Sequence, residues 1–255
     1  MYKSIKTTLP LILLFTFFFF GCNNKNTLPK EVWTTLPMAE WPEITLKNHV
    51  TFTDTSFNNL GNAFLIDTGM DTLGITCKHL FIVFEWYAGA ENISLSPGFV
   101  SWDMYSKNEP TKKINIKGLI NENKQEAIGQ FNTLKVRDWL ILDVEENISD
   151  IYPLKLRFSP VAPNEIVYEI GWSKDQQTES PSLIKHQCFK NFGSYYFMKT
   201  LSEETQYMGR SGSPVIDKNG YLVGISSGQE GNMAVIGSVR YLQEMMDKHD
   251  IKYKQ

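Results

Sequence analysis

From Ile44 onward, short apolar segments alternate with turn-forming residues, and helical periods are few. Alternation of apolar and polar side chains over short runs marks half-buried strands. Such runs lie at residues 45–53, 61–67, 72–76, 99–105, 113–118 and 139–144, with a turn over 67–71 joining the second to the third. Six strands with tight connections predict a small antiparallel barrel over residues 44–150. A second set lies at 154–156, 165–172, 182–188, 194–199, 215–217, 221–226 and 233–237, within residues 151–255. One helix stands out. Residues 238–249 carry Val239, Leu242, Met245 and Met246 at helical spacing, with Lys248 and His249 near the end where the helix dipole favours positive charge. The expected fold is all-β: two antiparallel six-stranded barrels and a C-terminal helix.

Residues 1–21 do not belong to either barrel. Lys3 and Lys6 precede an apolar run from Leu9 to Phe20, broken only by Pro10 and Thr16. That run is too short to span a bilayer, which takes about 20 residues, but it suits the core of a secretory signal peptide. The closing Gly21-Cys22-Asn23-Asn24 resembles a bacterial lipoprotein cleavage site, although Phe19 and Phe20 stand where Leu and a small residue are commoner. The resemblance implies that Cys22 becomes a lipidated first residue, that residues 22–43 form a tether, and that the protein sits in the bacterial cell envelope, held to a membrane by acyl chains worth about 0.8 kcal/mol per buried methylene. Removing residues 1–21 takes away two lysines and no acid, so the net charge moves from −3 to −5. That mild acidity argues against a nucleic-acid partner, which needs a clustered basic face. Cys77 and Cys188 are expected to be buried as small apolar side chains, and no Cys/His cluster suggests a metal.

The chemistry concentrates at Gly209-Arg210-Ser211-Gly212-Ser213-Pro214. A serine hydroxyl is a poor nucleophile at neutral pH and needs a base in hydrogen-bond reach, with backbone N–H groups aimed at the developing oxyanion. Glycines on both sides permit such a turn: Gly209 can adopt a conformation closed to other residues, and Gly212 keeps the approach to Ser211 clear. Glycine and serine are equally common in plain hairpin entrances. The full string, with the strand-turn-strand that follows it, resembles the signature of trypsin/chymotrypsin-like serine proteases.

That resemblance requires a histidine and then an aspartate upstream. Gly61-Asn62-Ala63-Phe64-Leu65-Ile66 followed by Gly74-Ile75-Thr76-Cys77-Lys78-His79 is similar to the family's Gly-x-Gly-Phe-Leu-Ile strand and Leu-Thr-Ala-Ala-His motif, and Asp138-Trp139-Leu140-Ile141-Leu142 resembles its Asp-x-Ala-Leu-Leu segment. It implies His79 as general base, Asp138 as the acid that orients it, Ser211 as nucleophile, and the Gly209 and Ser211 N–H groups as the oxyanion hole. Asp143, at the far end of the same strand, is the competing acid. His49, His186 and His249 sit in unremarkable surroundings. By family position Thr205 lies at the base of the substrate pocket, Ser226, Ser227 and Gly228 along its wall and Met208 at its mouth. With no acid at Thr205, small or moderately apolar side chains are the expected targets.

The chain departs from the family at Ala63, Cys77, Lys78, Leu140 and, most sharply, Arg210, where Asp or Asn is usual before the nucleophile. In trypsin-like zymogens that Asp pairs with a newly cut N-terminus, so Arg210 implies that such activation is absent, and it is expected to point away from the pocket towards a neighbouring carboxylate. A serine between a strand and a helix, with its histidine last, would signal an α/β-hydrolase, and that pattern is missing. The implied activity is cleavage of protein or peptide substrates without a cofactor. A catalytically silent fold kept as a binding surface, and an esterase or amidase using the same three residues, remain open.

Overall fold

The computed structural model describes residues 28–95, 97–146, 150–203 and 206–254, so the leader, Cys22 and Thr205 lie outside the described residues. The first half runs β1 (Leu46–Phe52), β2 (Ser56–Asp67), β3 (Thr72–Thr76), α1 (Leu80–Ala88), β4 (Asn92–Ile93), β5 (Phe99–Tyr105), β6 (Lys113–Leu119), β7 (Asn123–Ala127), α2 (Phe131–Leu134), β8 (Leu140–Val144) and β9 (Leu154–Lys155). Strands β1, β5, β6, β8, β3 and β2 are neighbours in that order, and antiparallel pairing of β1 with β2 closes the ring. The second half runs β10 (Ile166–Gly171), β11 (Ser182–Asn191), β12 (Tyr195–Thr200), β13 (Pro214–Ile216), β14 (Leu222–Glu230), β15 (Met233–Ser238) and α3 (Val239–Lys248). Its strands close in the order β10, β11, β12, β15, β14, β13. Both halves are thus six-stranded antiparallel barrels, the arrangement expected from the alternation, and closure leaves no unpaired sheet edge around either ring.

The alternation works because each barrel has one interior. Phe64, Ile75, Trp102 and Ile141 fill the first, while Val167, Cys188, Met198, Val215 and Ile236 form a separate cluster in the second. Cys77 and Cys188 are both free and buried. Helix α3 starts at Ser238, whose hydroxyl accepts the Arg240 N–H, the usual N-cap arrangement. Its Val239, Leu242 and Met246 join the core of the first barrel, and the chain beyond it is tied there by Lys254 N–H to Thr68 O at 2.7 Å.

Several elements differ from the expectation. Residues 154–156 are expected to open the second set; they span both barrels, Leu154 pairing in parallel with Ile66 of β2 and Leu156 bridging to Leu222 at the start of the second barrel's fifth strand. Helix α1 has no counterpart in the expected elements. Its sequence LFIVFEWYA is apolar almost throughout and shows no single face, yet Leu80, Phe81 and Phe84 turn inward while Trp86 and Tyr87 are exposed. Gly89, at φ +67°, ends it. Strands β4 and β7 form a small second sheet beside the barrel.

The segment from Glu31 to Glu43, placed in a tether by the sequence, is docked on the body. Trp33 is buried and meets Trp41 and Tyr152 edge-on at 4.9 and 5.9 Å. Glu31 donates its N–H to Asn219 O (2.9 Å) and accepts from Tyr152 Oη (2.6 Å) and Lys155 Nζ (2.9 Å). Apolar burial of one tryptophan and a fully used carboxylate outweigh the chain entropy that a free tether would keep.

The barrels meet through a polar side chain. Asn62 of β2 is fully buried; its Nδ2 donates to Trp172 O (3.0 Å) and Gly209 O (2.8 Å), and its Oδ1 accepts the Trp172 N–H (3.0 Å). Its own N–H donates to Ser211 O at 2.6 Å. Replacing Asn62 by Ala strands three buried backbone groups, each costing about 1–3 kcal/mol if unpaired. We expect Asn62→Ala to lose about 3 kcal/mol in urea unfolding; a loss under about 1 kcal/mol would mean that water takes over the vacated bonds.

Candidate active site

Strand β3 ends at Thr76, opposite Ala63 of β2 and Leu140 of β8. The chain leaves the barrel there, and His79 stands at the start of α1. Asp138 precedes β8 directly, so the neighbouring ends of β3 and β8 bring the two together. His79 Nδ1 donates to Asp138 Oδ2 at 2.7 Å and the His79 N–H to Oδ1 at 2.8 Å. A carboxylate only accepts, so Nδ1 carries the proton and Nε2 is the acceptor of the neutral ring. Asp138 is fully buried. Burial alone would lower the His79 pKa; the Asp138 carboxylate beside the ring outweighs burial and holds it well above the ordinary histidine value. Asp143, the competing acid, pairs with Lys117 at 2.9 Å, its partners in the ladder being Leu73 and Gly118.

The two departures next to His79 are both buried. Lys78 pairs with Glu126 of β7 at 3.0 Å, which explains how an ammonium sits beside the site without exposure. Cys77 places its Sγ 3.7 Å from His79 Nε2. Burial pushes the Cys77 thiol up, so it stays an S–H that can donate to that nitrogen.

The serine turn is fixed at four points. Asn62 binds Gly209 O and Ser211 O, Ser226 O accepts the Gly212 N–H at 2.8 Å, and Ser213 O accepts the Ser226 N–H at 2.8 Å. Gly212, at φ +82°, must be glycine, because a Cβ there would overlap Asn62 O. A Cβ on Gly61 would lie 3.0 Å from Ser211 O and 3.2 Å from Leu80 Cδ2, so the serine turn and the start of α1 flank the same point. Ser211 is thereby set beside the His79 segment, although its Oγ makes no hydrogen bond to a described residue; Nε2 faces Cys77 instead. Catalytic hydrogen bonds are often unmade before substrate binds.

Gly209 also sits at φ +82°, the third position of a turn closed by Arg210 N–H to Tyr207 O at 3.1 Å, as type II geometry requires. Met208 O accepts the Lys174 N–H at 2.7 Å, and in a trans peptide the Gly209 N–H then points the opposite way. Neither the Gly209 nor the Ser211 N–H is used by a described residue. Arg210 points into the second barrel, away from this face, and donates to Glu169 Oε1 at 2.6 Å.

Of the expected pocket residues, Thr205 is outside the described residues. Ser226 and Ser227 are buried beside the turn, and Met208 is exposed. A Cβ on Gly228 would come within 2.6 Å of Phe131, whose ring meets His79 edge-on at 5.5 Å. Phe131, Asn62 and Glu169 are the residues that sequence reasoning missed. An acid at an inward position of the otherwise apolar strand β10 was the one available signal, pointing to Glu169. Phe131 and Asn62 gave none.

No family model matches the chain, and no curated protein matches its sequence. Solved structures do. The chain is similar to the Rv3671c protease of M. tuberculosis in its active form, with 14% identity, TM-score 0.55, and 89% of each chain covered. The inactive form of that protease matches with 14% identity, TM-score 0.52, and 86% of this chain and 96% of that one. The serine endoprotease of Yersinia pestis matches with 11% identity and TM-score 0.53 over 82% of this chain, which spans 62% of the Yersinia protein. At such identities the likeness shows the fold, a chymotrypsin-like pair of barrels of the kind used by trypsin-like serine proteases.

The raised His79 pKa can be measured without any substrate. The imidazole should titrate above 6.5 by NMR and fall in Asp138→Asn, which keeps the shape but removes the charge. The sign for stability follows: the pair contributes fully below the unfolded pKa of about 6.5 and its contribution fades as pH rises through the folded value. A ring that titrates at or below the ordinary value in the wild type would contradict the geometry.

Proposed function

We propose that this protein is a serine endopeptidase. The observation that carries the proposal is the His79–Asp138 pair standing beside a serine turn whose Gly209 and Ser211 N–H groups are uncommitted. In this reading the imidazole turns from Cys77 to Ser211 when substrate enters, and Nε2 takes the hydroxyl proton as Oγ bonds to the scissile carbonyl carbon. The two N–H groups stabilise the oxyanion. Collapse of the tetrahedral intermediate breaks the C–N bond, the imidazolium returns its proton to the departing amine, and an acyl-enzyme remains. Water, deprotonated by the same imidazole, then releases the acid. Asp138 fixes the tautomer and stabilises the imidazolium without accepting the proton. Because the neutral ring is the base, kcat/KM should rise with pH through a value above 6.5.

The wall formed by Ser226, Ser227 and Gly228, with Met208 at the mouth and Thr205 at the base by resemblance, suits a small or moderately apolar side chain. The signal-like leader and Cys22 support a lipid-anchored protein of the cell envelope acting on proteins or peptides. Replacing Cys22 by Ala should abolish palmitate incorporation and release the protein from membranes; unchanged labelling would dismiss the anchor.

A fluorophosphonate probe should label the protein at Ser211. Ser211→Ala and His79→Ala should abolish labelling and lower peptide hydrolysis by about 10⁴-fold or more. Absence of labelling in the wild type would favour a silent fold used for binding. Labelling that survives Ser211→Ala but not Cys77→Ala would move the nucleophile to the thiol. Hydrolysis of esters but not of denatured protein would make the enzyme an esterase.

A further inference from the structure

We infer that Arg210 and Glu169 are positioning residues that hold the Met208–Gly209 peptide with its N–H presented to an oxyanion, so that the turn is formed at rest. The inference deepens the hydrolase reading and rests on it. Arg210 is 1% exposed and uses every donor of its guanidinium. Nε bonds Glu169 Oε1 (2.6 Å), Nη1 bonds Gly171 O (2.9 Å) and Ser182 Oγ (2.5 Å), and Nη2 bonds Glu169 O (3.3 Å) and Ser182 O (3.1 Å). Five bonds for five N–H groups leave the side chain one possible position.

Glu169 is equally constrained. Its second oxygen accepts from His186 Nε2 at 3.1 Å, and His186 Nδ1 meets Thr200 Oγ1 at 3.1 Å. The carboxylate can only accept, so His186 donates to it from Nε2. Arg210 and Glu169 form a buried ion pair. Burial alone would raise the Glu169 pKa, yet Arg210 and His186 hold it below the ordinary value.

The bearing on the turn comes from β10. Its C-terminal end, Gly171, is gripped by the Arg210 side chain, and the chain that continues from it supplies the Lys174 N–H that binds Met208 O. The same stretch therefore holds the turn on both sides of Gly209. A Cβ on Gly209 would lie 2.6 Å from Lys174 N, so only glycine fits between these anchors. Loosening Arg210 frees one anchor and lets the peptide rotate, removing one oxyanion donor while the serine and histidine stay in place.

The test compares Glu169→Gln, Arg210→Lys and the double exchange Glu169→Gln, Arg210→Met, each checked for native circular dichroism. We expect kcat on a peptide substrate to fall about 100-fold in Glu169→Gln with KM nearly unchanged, the size of losing one oxyanion donor. Affinity for a peptide aldehyde, which forms the tetrahedral adduct, should fall in parallel, while affinity for the product peptide should not. Arg210→Lys, which keeps the charge but not the five-bond grip, should lose kcat in the same direction with KM nearly unchanged. The double exchange removes both charges and should stay folded and slow. Wild-type kcat in the folded double variant, or equal loss of aldehyde and product affinity, would overturn the inference. If the wild type proves inert to peptide and probe, the hydrolase reading falls separately. Hydrogen exchange at the Arg210, Gly212 and Lys174 amides then decides the positioning role: faster exchange in Glu169→Gln upholds it, and unchanged exchange overturns it.

Discussion

One buried carboxamide sets the geometry on which everything else depends. Asn62 bridges the barrels with three side-chain hydrogen bonds and a fourth from its main chain to Ser211 O. Asn62 and Trp172 are buried, so their polar groups would be costly if unpaired, and any sliding of one barrel over the other breaks several bonds at once. β2 also pairs directly with β3, which delivers His79. A single strand thus measures the distance between the histidine segment and the serine turn, one by ladder register and the other by the Asn62 side chain.

Around that bridge the first barrel buries further polar groups. Asn48 binds Leu60 O at 2.8 Å and accepts from Trp102 Nε1 at 2.9 Å, while Thr76 Oγ1 donates to Asn62 O at 2.7 Å. Thr45 Oγ1 reaches Ile170 O across the boundary at 3.1 Å. Apolar packing also crosses the boundary, with Ile170, Ile216, Leu222 and Ile225 in one cluster with residues of the first barrel, but it makes less directional demand. Hydrogen bonds with fixed angles add to it a preference for one relative placement. The Arg210–Glu169 pair repeats the strategy below the serine turn: fully bonded, it gives little net stability compared with an apolar substitute, but it admits one geometry.

The resting arrangement leaves the proton-accepting nitrogen of His79 against the Cys77 thiol. A thiol is a weak donor, so under the proposed mechanism this contact is the one exchanged for the Ser211 hydroxyl. Phe131 stands over the same ring and against Gly228, reducing access of water to the imidazole from that side. The site is thus built from a rigid turn, a rigid acid and a ring whose partner is the one adjustable contact.

The sequence alone determined most of the strands, because alternation at period two is a local property that survives wherever one face is buried, as in Phe99–Tyr105. It also marked His79, Asp138 and Ser211 through the residues that flank them, and it exposed Arg210 as an oddity in need of an anion. Helix α1 escaped because an apolar run without a single face carries no period to detect. Residues 154–156 were assigned to one barrel although they span both, and Trp33 to a tether, because nothing local says which core a short apolar segment will enter. The roles of Asn62, Glu169 and Phe131 were decided only in three dimensions: Arg210 is 41 positions from Glu169, Gly209 is 147 from Asn62, and Phe131 meets Gly228 of the opposite barrel. Such contacts are fixed by barrel closure and register, and no window along the chain contains both members of the pair.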